Sequence, residues 1–127
     1  MNQDEEHLRL LSIFHYVVAG IAGLMACVPF FHVAVGVTIL VGEDDFPKFM
    51  GVFFIVIAAL MIILGATYAI CMFVAAHRLA ARSGYTFCLV MAALSCMFFP
   101  FGTALGVFTI IVLSRPSVRE LFGRPVA

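Results

Sequence analysis

Four histidines are the side chains of this sequence best suited to chemistry: His7, His15, His32 and His77. An ionisable residue inside a membrane segment is a functional candidate, and imidazole is a common ligand of haem iron and of other metals. If the chain forms an antiparallel hairpin that turns near residue 45, His15 and His77 lie at about the same depth and face each other. They are therefore a candidate haem b site. The alternative is that they are interfacial histidines, hydrogen-bonded to headgroups or to the backbone.

Two short fragments are similar to the membrane anchors of succinate dehydrogenase. Ser12–His15 matches the S-I-x-H start of those anchors, and the spacing of His32 and Gly36 resembles a fragment of their haem-ligand helix. The resemblance implies a redox anchor that binds haem. In that family an arginine follows the first histidine, where this chain has Tyr16, and the two fragments lie on separate helices.

The remaining reactive groups predict no catalytic or metal site. The cysteines all lie in apolar runs and none forms a C-x-x-C pair, which is typical of buried thiols that act as small hydrophobic residues; they are Cys27, Cys71, Cys88 and Cys96. Three adjacent carboxylates, Glu43 to Asp45, indicate a solvated acidic loop, because a metal needs ligands that converge from several directions. We therefore expect that the protein is not an enzyme.

Composition indicates an integral membrane protein made of α-helices. The sequence is 65% hydrophobic and only 11% charged, whereas a soluble domain is about 25% charged. Three ranges contain no Asp, Glu, Lys or Arg: 10–42, 49–76 and 83–114. Each exceeds the roughly 20 apolar residues that span a bilayer. The net charge of zero gives no indication of a nucleic-acid partner.

The predicted architecture is one membrane domain, 1–127, with four transmembrane helices. Two long antiparallel helices cover about 8–41 and 49–82, and a shorter hairpin bent at Pro100 covers 85–99 and 102–114. A short amphipathic helix, 116–122, is expected at the membrane surface, because Val118, Leu121 and Phe122 recur at helical spacing between arginines.

Prolines and small residues predict how these helices bend and pack. Pro29 and Pro100 are the expected hinges, since proline removes a helical donor and clashes with the preceding turn. Small residues at spacings of three and four let helices approach closely in lipid. The predicted packing positions are Gly20, Gly23, Gly65, Gly102 and Gly106.

The arginine distribution predicts the orientation. Arginines cluster at 77–82 and 115–124, and the positive-inside rule places both clusters in the cytoplasm. The loop 43–48 is then outside, and both termini are cytoplasmic. Because 85–113 is short for two full spans, a re-entrant hairpin is an alternative.

A weak internal repeat leaves the crossing number open. With a shift of 70 residues, six residues match within 20 positions, including Phe31 with Phe101 and Gly36 with Gly106. Repeats are common in membrane proteins. If this one is real, the first segment is also a bent hairpin and the chain crosses five times.

The segment Pro100–Thr109 is similar to a pattern found in small bacterial multi-pass membrane proteins of unknown function. Residues 113–118, 7–16 and 85–90 resemble the same family. The resemblance implies a bacterial inner-membrane location and no known activity.

We therefore expect a structural or interaction component of the membrane, either a homo-oligomer or an accessory subunit of a larger membrane complex. Its expected partners are the lipid bilayer and other membrane subunits or copies of itself. One alternative is an oligomeric channel or a conduit for lipids or small molecules, lined by Thr38, Thr67, Thr103 and Thr109. The other is the haem-binding redox anchor.

Overall fold

The computed structural model describes residues 2–43 and 45–123, and every regular element in that part of the chain is an α-helix. The helices are α1 Gln3–Met25, α2 Pro29–Val41, α3 Lys48–Ala80, α4 Tyr85–Ser95, α5 Phe101–Leu113 and α6 Pro116–Leu121. The predicted all-α fold class is confirmed.

Two helical stretches are long and apolar enough to cross a membrane. Gln3–Val41 has 39 residues and a mean hydropathy of 2.3, and Lys48–Ala80 has 33 residues and a mean hydropathy of 2.8. Only 11% of the most apolar window of each stretch is buried inside the protein. Large apolar side chains such as Phe49 and Leu64 are instead more than two-thirds exposed. The core helix of a soluble protein would bury them.

The first stretch is interrupted just before Pro29. Helix α1 opens with Asp4, Glu5 and Glu6 in its first turn, where carboxylates favour the positive end of the helix dipole. It ends at Met25, and the amides of Cys27 and Val28 bond to carbonyls three residues back. Such bonds tighten the backbone locally, and α2 then starts at Pro29, where the missing amide is no loss.

The shorter helices α4 and α5 are joined by residues 96–100, which include a cis peptide bond between Phe99 and Pro100. Helix α4 stops at Ser95 and not near residue 99 as predicted, and α5 starts at Phe101. The Thr103 hydroxyl donates to the Cys96 carbonyl at 2.7 Å. This bond holds the first turn of α5 against the end of α4.

The described chain divides into two compact units. One contains the residues up to Ala19 together with those from Ile70 onward, and the other is Gly20–Ala69. In the first unit, α1 and α3 run antiparallel: the Ser12 hydroxyl donates to the Ala76 carbonyl at 2.8 Å, and the rings of Tyr16 and Phe73 meet edge to face.

In the first unit, α3 buries one narrow stripe of side chains. On α3 the stripe is Met72, Ala75, Ala76 and Leu79, which are all fully buried and lie at the i, i+3, i+4, i+7 spacing of one helix face. The Tyr85 hydroxyl, at the start of α4, donates to the Leu113 carbonyl at the end of α5, at 2.7 Å. This bond joins the two ends of the α4–α5 hairpin.

In the second unit, helices α2 and α3 approach each other closely at two glycines. A Cβ atom built on Gly36 of α2 would lie 2.8 Å from the Gly51 carbonyl oxygen of α3, and one built on Gly51 would lie 2.8 Å from the Gly36 oxygen. At the start of α3, the Lys48 Nζ atom donates to the carbonyls of Gly42, at 2.6 Å, and Leu40, at 3.0 Å. The ammonium group donates to carbonyls that the end of α2 leaves free, and its positive charge is stabilised by the negative end of the α2 dipole.

Candidate functional site

The polar groups of the first unit gather where its helices begin and end. Arg115 lies between α5 and α6, and its Nη1 atom donates to Asp4 Oδ1 at 3.1 Å and to His7 Nδ1 at 3.3 Å. Because arginine only donates, His7 must accept at Nδ1. The cluster joins the first two turns of α1 to a residue more than 100 positions later in the chain.

The Asp4 carboxyl is tuned by the same cluster. A hydrogen bond from Ser117, and secondarily the Arg115 guanidinium, hold the pKa of Asp4 below its usual range. The carboxylate therefore stays ionised at lower pH than an ordinary aspartate, which preserves its attraction for Arg115 in acid.

A second ion pair lies in the same first turns of α1. Arg82 Nη2 lies 2.9 Å from Glu5 Oε1. Arg82 follows α3 and has a φ of 53°, in the left-handed region. The Ser83 amide bonds back to the Arg78 carbonyl at 2.9 Å, as in a helix C-terminus that normally places glycine at the left-handed position. Arginine is therefore strained here.

His15 is completely buried in the first unit. Its Nδ1 atom bonds to the Leu11 carbonyl at 2.8 Å, within its own helix, while its Nε2 atom has no hydrogen-bond partner among the described residues. A buried polar atom without a hydrogen-bond partner lowers the stability of the fold, so the Nε2 atom of His15 destabilises this core.

The two predicted haem ligands occupy different environments. His77 lies in the last turn of α3 at an exposed position, beside the buried Ala76, whereas His15 is sealed from the surface. The structure gives them no hydrogen bond to each other. A shared iron would require both imidazoles to converge on one cavity. The haem assignment to this pair therefore stays a prediction.

The other predicted reactive residues are dispersed. His32 stacks on Phe54, with ring centroids 6.3 Å apart. Cys88 is buried, Cys27 is exposed, and the described cysteines are all free thiols. The described His, Cys, Asp and Glu residues form no group of three that could hold a metal ion. Asp44, the centre of the acidic loop, lies outside the described residues, as does Arg124.

The threonines proposed for a pore lining differ in exposure. Thr38 and Thr67 are exposed and donate to carbonyls four residues earlier in their own helices. Thr109 does the same but is fully buried, and Thr103 is half-buried. The hydroxyl protons are thus used within the chain, as is usual for threonine in apolar helices.

The predicted packing glycines fall into two groups. A Cβ on Gly102 would lie 2.5 Å from the Ser95 oxygen, and one on Gly106 would clash with the Ala92 oxygen; a Cβ on Gly65 would lie 3.1 Å from Ala26 Cβ. Nothing lies within 4 Å of a Cβ on Gly20 or Gly23. The first group serves contacts within the chain, and the second faces open space.

Sequence reasoning missed the close contact between Gly36 and Gly51 and the stacking of His32 on Phe54. The repeat offered a signal for the first, because Gly36 aligns with Gly106, which is also a position of close approach.

No family model matches the chain, and no curated protein and no solved structure matches it either.

Proposed function

We propose that this chain is a polytopic membrane protein that acts as an interaction component, either as a homo-oligomer or as an accessory subunit of a larger membrane complex. The single observation that supports this best is the face of α1 formed by Gly20 and Gly23. Close-approach glycines elsewhere in the chain touch a neighbouring helix, but these two meet nothing within 4 Å. In lipid, such a face lets a second helix pack at short distance.

The membrane location is supported by the exposed apolar surface of the two long helical stretches. In water, contiguous apolar patches beyond a few hundred Å² mark an interaction or membrane site. Here the apolar side chains continue along most of both stretches, which is the pattern expected of a lipid-facing surface.

The ion pairs support a topology in which the first turns of α1 lie on the same side as two later connections. Glu5 pairs with Arg82 after α3, and Asp4 pairs with Arg115 after α5. The chain between such partners crosses the bilayer an even number of times. With the arginines inside, the positive-inside rule places both termini in the cytoplasm.

Helices α4 and α5 complete either a four-helix topology or a re-entrant hairpin. They have 11 and 13 residues, which corresponds to roughly 17 and 20 Å at 1.5 Å per residue. The apolar core of a bilayer is about 30 Å thick. These lengths favour a hairpin that enters and leaves the bilayer on one side. Because residues 97–101 at its tip are exposed, a neighbouring protein would have to cover the turn, as re-entrant segments require.

Crosslinking at Cys27 tests the interaction function. This exposed thiol lies 3.5 Å from the Gly23 carbonyl oxygen, so it reports on the glycine face itself. We would replace the other three cysteines with alanine and oxidise native membranes with copper–phenanthroline. A disulfide-linked dimer is expected, and Gly23→Leu should abolish it by blocking close approach.

The matched control places the thiol on the other side of α1. Met25→Cys, in a chain without other cysteines, lies two residues from Gly23 and so about 200° around the helix. It should crosslink much less than Cys27. Equal crosslinking at both positions, or a chain that stays monomeric and copurifies with no other membrane subunit, would refute the proposal.

A further inference from the structure

A groove of about 410 Å³ opens beside the charged end of the first unit. Its walls come from the first turns of α1 and from the end of α3. The volume lies within the roughly 300–1,000 Å³ of typical small-molecule sites.

One end of the groove carries the charges. It contains Glu5, Arg9 and Arg82. Glu5 and Arg82 neutralise each other at 2.9 Å, whereas Arg9 forms no ion pair with any described carboxylate. The groove therefore has one excess positive charge, on Arg9, next to a second guanidinium that the Glu5 carboxylate holds in place.

The other side of the groove is apolar. Leu8, Ile13 and Leu79 line it, and the Ser12 hydroxyl in its wall already donates to Ala76. Arg9 immediately precedes the charge-free range that starts at residue 10, and Arg82 precedes the one that starts at residue 83. Both guanidiniums thus lie where an apolar segment meets the polar boundary, which is the depth of lipid headgroups.

The strain at Arg82 indicates that its side chain has a role. Its φ of 53° would suit glycine, and yet the position holds an arginine that lines the groove and pairs with Glu5. Backbone strain persists where the rest of the structure imposes it, and it is often found at binding sites.

We propose that this groove binds the phosphodiester headgroup of an anionic glycerophospholipid. Arg9 pairs with the phosphate, Arg82 adds a second set of donors, and an acyl chain lies along Ile13 and Leu79. One negative phosphate matches the one excess positive charge. The inference rests on the membrane location proposed above, but it does not depend on whether the protein oligomerises.

The test uses the full chain, purified in mild detergent and stripped of lipid. We would titrate it with phosphatidylglycerol, with phosphatidylcholine and with inorganic phosphate. At each concentration we would measure the thermal unfolding midpoint, and we would count the bound lipids separately by native mass spectrometry. Phosphatidylglycerol should bind and raise the midpoint, phosphatidylcholine should bind at least fivefold more weakly, and phosphate alone should have no effect.

Substitutions locate the site. Arg9→Gln removes no ion pair of the protein, so the fold should persist while phosphatidylglycerol affinity falls about fivefold, the usual contribution of one arginine near anionic lipid. Arg82→Gly should weaken lipid binding, because it removes the second guanidinium. Glu5→Gln breaks the same ion pair but leaves the left-handed strain at residue 82. The lipid-free unfolding midpoint of Arg82→Gly should therefore not fall below that of Glu5→Gln. Arg119→Gln, which lowers the charge equally outside the groove, should bind lipid like the unaltered protein.

Three results would overturn the proposal. Arg9→Gln could bind phosphatidylglycerol as tightly as the unaltered protein. Arg119→Gln could weaken binding equally, which would indicate a diffuse charge effect. Inorganic phosphate could give the full midpoint shift, which would assign the site to a soluble anion. The Cys27 crosslinking test is independent of all three, so a failure here leaves the interaction function standing.

Discussion

Replacing Gly102 with alanine should force the α4–α5 hairpin apart. The new Cβ would lie 2.5 Å from the Ser95 carbonyl oxygen and 2.7 Å from Phe98 Cβ, whereas ordinary contact begins at 3.4 Å. The helices would have to separate by about 0.9 Å, and the Ser95 obstacle is backbone that cannot rotate away. Overpacking of this kind costs about 1–3 kcal/mol.

The intrinsic helix preference acts in the opposite direction. Alanine is favoured over glycine inside a helix by about 1 kcal/mol. If the steric cost is near its upper end, Gly102→Ala should lose about 2 kcal/mol of folding free energy. Gly20→Ala has the same helix gain with nothing within 4 Å of its Cβ, so it should gain up to about 1 kcal/mol. The two variants should therefore differ by about 3 kcal/mol.

The assay is the thermal unfolding midpoint of the purified protein in one detergent, read by circular dichroism. At about 4 °C per kcal/mol for a chain of this size, Gly102→Ala should unfold about 12 °C below Gly20→Ala. If Gly102→Ala unfolds at or above the temperature of Gly20→Ala, the close approach of α4 and α5 is wrong.

Three further changes test other contacts. Lys48→Met removes the cation at the end of α2 and should cost about 1 kcal/mol in unfolding free energy by denaturant titration. His15→Leu removes a buried nitrogen without a partner and should raise stability by about 1 kcal/mol in the same titration. Asp4→Asn should make the thermal midpoint less sensitive to acid. Because the pKa of Asp4 is lowered in the folded protein, its contribution to stability is present above its ordinary pKa. That contribution is lost as pH falls through the lowered value, below about pH 4.

The substitutions at Lys48 and Asp4 each have a control variant, and each prediction has an outcome that contradicts it. Lys48→Arg keeps the cation and should retain most of the stability, and a loss equal to that of methionine would contradict the capping role. Destabilisation by His15→Leu would contradict the prediction, because it would mean that the imidazole contributes more stability than its Nε2 atom costs. A Soret band in the purified protein would identify haem. Glu6→Gln, on the exposed neighbouring carboxylate, should keep the acid sensitivity that Asp4→Asn loses.

The sequence carried enough information for the elements and little for their contacts. Proline chemistry located both interruptions, since α2 begins at Pro29 and α5 begins just after Pro100. Because the long helices are apolar on every side, periodicity could not show which stripe is buried. Residue size did so in part, as Ala75 and Ala76 are fully buried and Gly102 lies against Ser95.

The geometry of the candidate sites could be predicted from the sequence only in part. Spacing could bring His15 and His77 to the same depth, but it could not tell that one is buried and the other exposed. The Asp4–Arg115 contact joins residues from opposite ends of the described chain, and a single sequence contains no signal for such a pair. One wall of the groove includes Arg82 in a left-handed conformation, and an arginine in the sequence does not predict that conformation.

The Asp4–Arg115 pair also has a consequence for biosynthesis. A ribosome makes roughly 5–20 residues per second. Several seconds therefore pass before Arg82 and then Arg115 are made, and during this time Glu5 and Asp4 lack these arginine partners. A nascent chain arrested before residue 115 leaves Asp4 without this cation. The pair therefore forms only after α1 to α5 have all been synthesised, so it cannot stabilise α1 during the early stages of membrane insertion.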